Sequence, residues 1–272
     1  MTRQLSKDTR LCISLAGRPS NIGTRFHNHL YDELGLDFVY KACTTDDLAG
    51  AVTGIRALGI RGCGVSMPYK EAVIPLVDEL DPSAAAIDSV NTIVNTDGRL
   101  RAYNTDYLAV GALLKQHGVP VSGAVAVLGS GGMAKAVVAA LRDAGFPAGT
   151  VVARNERTGR ALAERYGYAW RPDLGADRPA LLVNATPVGM AGGPAARDLP
   201  VPGEVADAAD TVFDVVAMPA ETPLIRRARA AGRRVITGAE VIALQAAEQF
   251  ALYTGVRPTA EQIGRAAEYS RS

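Results

Sequence analysis

Short apolar runs bounded by turn residues alternate along this chain with segments whose apolar positions recur at helical spacing. Residues 11–15 read as a buried strand, which Gly17, Arg18, Pro19, Ser20 and Asn21 break before a helical pattern that starts near Thr24. Residues 38–43 predict a second strand, 46–58 a helix with Asp46 as its N-cap, and 62–67 a third, small strand. The pattern resets between Gly118 and Gly123. The run 124–128 is continuously apolar, as a parallel strand buried on both faces requires. Helix 133–144, strand 150–153, helix 158–166, strands 180–184 and 211–216, helix 223–231 and strand 234–237 follow. Strands and helices in this alternation predict a doubly wound parallel sheet. Helices at 241–255 and 259–269 come after the last strand and are expected to return to the first domain. The expected fold class is α/β in two domains. One spans 1–104 with 241–272, and the other, 105–240, is expected to hold the doubly wound sheet of a Rossmann-type fold. The Ala-rich stretch 206–209 fits either a loop or a frayed helix.

Composition narrows the class of partner. With 29 basic and 28 acidic residues the formal charge is +1, so no electrostatic excess is available to hold a phosphate backbone or an anionic membrane. Arg226, Arg227, Arg229, Arg233 and Arg234 cluster in a helix-like stretch and read as a solvated helix face. Three widely spaced cysteines and three histidines suggest neither a disulfide framework nor a closed zinc site, so no metal is expected. The polar N-terminus followed by LCISL is too brief for a signal segment or a membrane span, which predicts a soluble, cytoplasmic protein.

The chemistry begins at Gly129, Ser130, Gly131, Gly132, Met133 and Ala134, a GxGxxA pattern at the end of a buried strand and the start of a helix. Gly129 allows the tight turn, Gly131 lets backbone approach a pyrophosphate, and Ala134 lets helix pack closely on strand. The helix N-terminus adds unpaired N–H groups and partial positive charge. At the end of the next strand an acid binds the ribose hydroxyls of NAD, whereas arginine takes the 2′-phosphate of NADP. Here Arg154 and Arg157 favour NADP, Asn155 joins them in binding the cofactor, Glu156 pulls toward NAD, and NAD stays open as the alternative.

Two further segments, GCGVSMPYK at 62–70 and SVNTIVNTDGRLRAYNTD at 89–106, complete an ordered set with NATPVGM at 184–190, PAETPL at 219–224 and Gln245. In this order the motifs resemble the shikimate and quinate dehydrogenase family over nearly the whole chain, most closely its divergent shikimate-dehydrogenase-like branch. The resemblance implies an oxidoreductase of aromatic amino acid biosynthesis that moves hydride between a cyclic hydroxy acid and nicotinamide. The first domain would bind substrate and the second NADP. Lys70 would exchange the hydroxyl proton, and Asp106 would bond both that hydroxyl and Lys70. Ser66, Asn91, Asn104 and Gln245 would orient the substrate. Asn184, Thr186, Val188, Val215 and Gly238 would join the glycine loop in lining the cofactor.

Departures from the family pattern are specific. The SxS pair that bonds the substrate carboxylate falls on Asn21 and Gly23, with Ser20 and Thr24 as neighbouring donors that compensate. The NRT cofactor segment reads Asn155, Glu156, Arg157, and a usual tyrosine is Ala217. The expected partner is a small cyclic hydroxy acid, not nucleic acid or membrane, and both monomer and homodimer remain open. A weakly catalytic dinucleotide or metabolite sensor of the same fold is the alternative, but a sensor has no need of a Lys70 and Asp106 pair. A folate-type methylene dehydrogenase would not need the asparagine and aspartate of NTD.

Overall fold

The computed structural model describes residues 4–272; Met1, Thr2 and Arg3, which open the polar stretch assigned above to the first domain, lie outside the described residues. The chain divides into two compact units, one running to Thr105 and resuming over Ala243–Ser272, the other comprising Asp106–Ile242.

In the first unit six strands form one sheet: β1 (Arg10–Leu15), β2 (Phe38–Cys43), β3 (Gly62–Val65), β4 (Glu79–Leu80), β5 (Thr92–Thr96) and β6 (Arg99–Tyr103), in the order β2-β1-β3-β5-β6-β4. β1 is parallel to both β2 and β3, and the helices Asn21–Glu33 and Leu48–Ala57 supply the crossovers that parallel pairing demands. β5 and β6 are antiparallel and turn over at Asp97 and Gly98, whose φ values of +52° and +85° suit a two-residue hairpin of matching twist. Alternation along β1 sends Cys12 to one face and Ile13 and Leu15 to the other. Cys12 packs with Phe26, Leu30, Tyr31, Phe250 and Tyr253, so the first and last helical segments share a core. Ile13 and Leu15 pack with Val52, Ile55 and Val73. Residues 243–272 of the two C-terminal helices belong to this unit.

β2 is the edge of this sheet, and an edge strand exposes backbone groups. Asn28 covers them: Tyr40 N–H donates to its Oδ1 at 3.0 Å, and its Nδ2 donates to Tyr40 O at 2.8 Å and to Thr24 O at 2.9 Å.

The second unit is a wholly parallel sheet of β7 (Val125–Leu128), β8 (Thr150–Val152), β9 (Ala169–Arg171), β10 (Leu181–Asn184), β11 (Thr211–Asp214) and β12 (Arg234–Thr237). Its order, β12-β11-β10-β7-β8-β9, reverses beside β7 and is the doubly wound Rossmann arrangement. β7, β10 and β11 are buried at every residue, as a parallel strand covered on both faces is; β7 is apolar throughout, whereas β10 and β11 bury the polar ends Asn184 and Asp214. The arginines of helix Pro223–Ala230 form the solvated face expected: Arg227 pairs with Asp207 and Arg229 with Glu221. Among the described residues no helix is long and apolar enough to cross a membrane.

Several boundaries differ from the sequence reading. The first helix starts at Asn21, not near Thr24, because Ser20 already has the extended backbone of an N-cap. Asp47 rather than Asp46 caps the second helix, its carboxylate accepting from Gly50 N–H at 2.8 Å. Residues around 206–209 belong to a short helix, Gly203–Ala208, and the long C-terminal helix starts at Gly238 instead of 241. The antiparallel pair β5 and β6 and the edge strand β9 add to the elements read from the pattern.

Replacing Asn28 by Ala strips partners from both backbone groups of Tyr40 and should cost about 2–3 kcal/mol, as lost hydrogen bonds in a half-buried setting do. Denaturant melts of the two proteins test this.

Candidate active site

β7 ends at Leu128, and a turn of three residues leads into helix Gly132–Asp143. Gly129 holds φ +109°, donates its N–H to Val152 O at 2.8 Å, and has Ala185 O 2.9 Å from where a Cβ would stand. A side chain at 129 is excluded by both conformation and space. A Cβ on Gly131 or Gly132 would meet nothing within 4 Å, and no side chain caps the helix. Uncapped N–H groups facing open room are what a pyrophosphate needs, so these residues fit a dinucleotide. Ser130 Oγ and Thr158 Oγ1, 2.8 Å apart, fasten the turn to helix Glu156–Tyr166. Ala134 is fully buried beneath the turn, and Met133 is half-buried beside it.

Asn155 caps helix Glu156–Tyr166, its Oδ1 accepting from Thr158 N–H at 3.1 Å. Arg154 and Arg157 flank it, exposed and without an ion-pair partner among the described residues.

The next two strand ends are joined by a buried polar knot. Asn184 Nδ2 donates to Asp214 Oδ1 at 3.0 Å and to Val188 O at 3.1 Å, while its Oδ1 accepts from Thr186 N–H and Oγ1 at 3.1 and 2.6 Å. The Asn184 side chain is thereby fully used inside the protein, and it shapes the 185–188 loop. Asp214 accepts in addition from Val216 N–H at 3.0 Å and from Thr222 Oγ1 at 2.7 Å. Thr222 Oγ1 itself accepts from Ile225 N–H at 3.1 Å, so the same hydroxyl caps the helix that follows. Gly238 lies against the backbone of Val215 and Val216, where any Cβ would collide. Burial pushes the Asp214 carboxyl up to about 6, against the pull of Thr222, Val216 and Asn184.

In the first unit the predicted substrate residues gather where β1, β3 and β6 end and β5 begins. Ser66 follows β3 and donates its N–H to Leu15 O at 2.9 Å; Gly17 N–H reaches Met67 O at 2.9 Å, which ties the two loops together. Lys70 lies in the short helix Tyr69–Ala72, and its carbonyl accepts from Val90 N–H at 2.9 Å, beside Asn91. Asn91 Oδ1 accepts from Thr105 N–H at 2.8 Å and from the hydroxyls of Thr92 and Thr105 at 2.8 and 3.1 Å. Its Nδ2 is buried with no partner among the described residues. Asn104 is buried, its Nδ2 donating to Ser89 O at 2.9 Å. Gln245 Oε1 accepts from Thr105 Oγ1 at 3.3 Å. Asp106 begins the second unit, one residue beyond this cluster.

The altered carboxylate segment is placed less tightly. Ser20 and Asn21 are exposed, Gly23 and Thr24 are half-buried, and Thr24 Oγ1 is a buried hydroxyl without a partner among the described residues. A Cβ added at Gly23 would stand 3.6 Å from the Tyr40 ring, an ordinary contact.

Three residues that sequence reasoning passed over matter here. Gln249 donates to Asn91 O at 3.1 Å and to Thr92 Oγ1 at 3.0 Å, and so fixes the start of β5. It lies one helical turn after Gln245, a spacing that the sequence offered. Thr105 joins Asn91 to Gln245, and it stood inside the NTD motif. Asp214, a carboxylate ending an apolar strand, was the strongest unread signal of the three.

A parallel sheet with a glycine turn, joined in one chain to a mixed α/β unit bearing a lysine and asparagine cluster, defines a two-unit α/β protein of dehydrogenase type. Residues 21–93 match the family model described as the shikimate dehydrogenase substrate binding domain. The chain is 56% identical over 268 residues to a shikimate dehydrogenase-like protein of Haemophilus influenzae, covering 98% of this chain and 99% of that one. A solved structure of a shikimate 5-dehydrogenase-like protein superposes with a TM-score of 0.97 at 55% identity, covering 99% and 100% of the two chains. The shikimate 5-dehydrogenase of Thermus thermophilus, solved with NADP(H) and shikimate, gives 0.86 at 33% identity, covering 96% and 99%. The chain belongs to the shikimate dehydrogenase family and is an oxidoreductase of that family.

Asp214 also sets a pH dependence. Its folded pKa lies above its unfolded one, so the native state holds the proton more tightly and loses stability as pH rises from about 4 to about 6. This group's share is of the order of 2–3 kcal/mol. Asp214→Asn should flatten that part of the curve of melting temperature against pH, and an unchanged slope would overturn the assignment.

Proposed function

We propose that this chain is an NADP-dependent dehydrogenase that interconverts shikimate, or a related cyclic hydroxy acid such as quinate, with its 3-dehydro ketone. The observation that carries this reading is the buried, unpartnered Nδ2 of Asn91. A buried amide that lacks a partner is costly, and its other half is spent on fixing Thr105. A substrate hydroxyl gives it the missing acceptor.

Around that hydroxyl Lys70 takes the proton during oxidation and returns it during reduction, and Asp106 orients both. Ser66, Asn104 and Gln245 select the ring's remaining substituents; of these Gln245 still carries an amide donor, its Nε2, that no hydrogen bond engages among the described residues. On the second unit, residues 129–134 hold the pyrophosphate of NADP, Thr186, Val188, Val215 and Gly238 shape the wall beside it, and Arg154 and Arg157 take the 2′-phosphate. When bound, the nicotinamide supplies or accepts the hydride.

The test is initial rates with NADP+ and NAD+ against shikimate, quinate and an amino-substituted analogue. Turnover of one of these acids is expected, and none with any acid would sink the substrate reading. Lys70→Ala should lower kcat by roughly 10²–10⁴-fold, the range of general acid–base catalysis, while retention of most activity would remove Lys70 from the mechanism.

The carboxylate end makes a separate prediction. A Cβ at position 23 makes only ordinary contacts, and Gly23→Ser restores a hydroxyl where the family has one. It should lower the KM for shikimate roughly tenfold, as one charge-assisted hydrogen bond allows. A KM unchanged in the variant would show that acid binding does not pass through position 23.

A further inference from the structure

The end of β8 carries contradictory charges for a dinucleotide: Arg154 and Arg157, which have no ion-pair partner among the described residues, and between them the carboxylate of Glu156. An acid there favours ribose hydroxyls and repels a 2′-phosphate. Glu156 is not free, however. Arg160, one turn further along the same helix, donates its Nε to Glu156 Oε1 at 2.7 Å. The guanidinium is held in turn from its flat side, its Cζ standing 4.4 Å from the centre of the Trp170 ring.

The indole is itself anchored. Trp170, the only tryptophan of the chain, lies on β9 and donates Nε1 to Ala153 O at 3.1 Å. It packs onto helix Glu156–Tyr166 at Gly159, where any Cβ would run into the ring. Sheet edge, indole, guanidinium and carboxylate therefore form a single stack that ends at the strand terminus.

Glu156 and Arg160 are both more than half exposed, and an ion pair so exposed contributes little to stability. Its consequence is electrostatic. We propose that Arg160, stacked on Trp170, sets the dinucleotide preference by neutralising Glu156, so that Arg154 and Arg157 meet the 2′-phosphate without a competing carboxylate. Arg160 is a positioning residue in this scheme, and Glu156 is a concealed determinant for NAD. The inference rests on the cofactor reading given above and names what regulates its selectivity.

Calorimetric titration of NADP+ and of NAD+ separates the two without recourse to turnover. Wild type, Arg160→Ala, Glu156→Gln and the double variant are compared, with thermal melts as the check on folding. The wild type is expected to bind NADP+ more tightly. Arg160→Ala, which bares the carboxylate, should lower the ratio of NADP+ to NAD+ affinity by roughly five- to tenfold, the scale of one screened surface charge. Glu156→Gln should raise that ratio, and the double variant should recover at least the wild-type value. If both dinucleotides bind and Arg160→Ala keeps the wild-type ratio within about twofold, the role of the stack is wrong and the cofactor reading stands. If neither dinucleotide binds the wild type, the cofactor reading itself fails.

Discussion

A buried strand in a parallel sheet has to end somewhere, and where it ends its backbone and neighbouring side chains lose the ladder that satisfied them. In both units of this protein the polar groups at those ends decide what the surrounding loops can do. At β10 and β11 Asn184 and Asp214 fill one another's capacity, and each also binds a loop backbone. At β3, β5 and β6 the equivalent task falls to Asn91, which gathers Thr92 and Thr105 onto one oxygen. The loops that follow these strands are tied down by these few side chains.

The two asparagines show how one residue type yields two outcomes. Asn184 makes bonds at both ends of its amide, and so it works as a joint. Asn91 spends only the oxygen of its amide and leaves a buried donor without a partner among the described residues, the donor that the proposed function gives to the substrate. Gln249, from the helix Gly238–Thr254, holds the second arrangement in place by donating to the backbone carbonyl of Asn91. That contact gives the chain's return to its first unit a purpose beyond covering the sheet. The same helix that buries Phe250 and Tyr253 also holds the cluster's register.

Legibility in the sequence followed how local the cause was. The glycine turn was readable because strand, turn and helix are contiguous, and the conformation of Gly129 is imposed within its own few residues. The parallel sheet was readable for a similar reason, through buried runs such as Val125–Leu128. The β5 and β6 hairpin was equally local, since Asp97 and Gly98 are a strong turn pair, but it sat within residues read for chemistry rather than structure. Asp46 and Asp47 compete as caps one residue apart, and only the direction of a side chain decides between them. What no local pattern reveals is a partner far along the chain. Gln249 meeting Asn91 and Asp214 meeting Asn184 are facts of topology, and each residue alone reads as an ordinary polar position.

The departures from the family pattern are cheap in stability, and this bears on why they are there. Glu156 stands in the first turn of a helix, where the dipole welcomes an acid, so the fold has no reason to reject it. Gly23 argues more sharply. Within a helix a glycine costs about 0.5–1 kcal/mol relative to alanine, so it needs a reason. Steric exclusion does not supply one, because a Cβ there would make an ordinary contact with Tyr40. Backbone conformation does not supply one either, since Gly23 is absent from the residues at positive φ. No neighbouring protein atom therefore demands glycine at this position, in contrast to Gly129 or Gly159. The room it leaves adjoins Thr24, whose buried hydroxyl lacks a partner among the described residues. The fold itself therefore did not impose the change in the 20–24 segment, and the acid of the proposed function is the remaining reason for it.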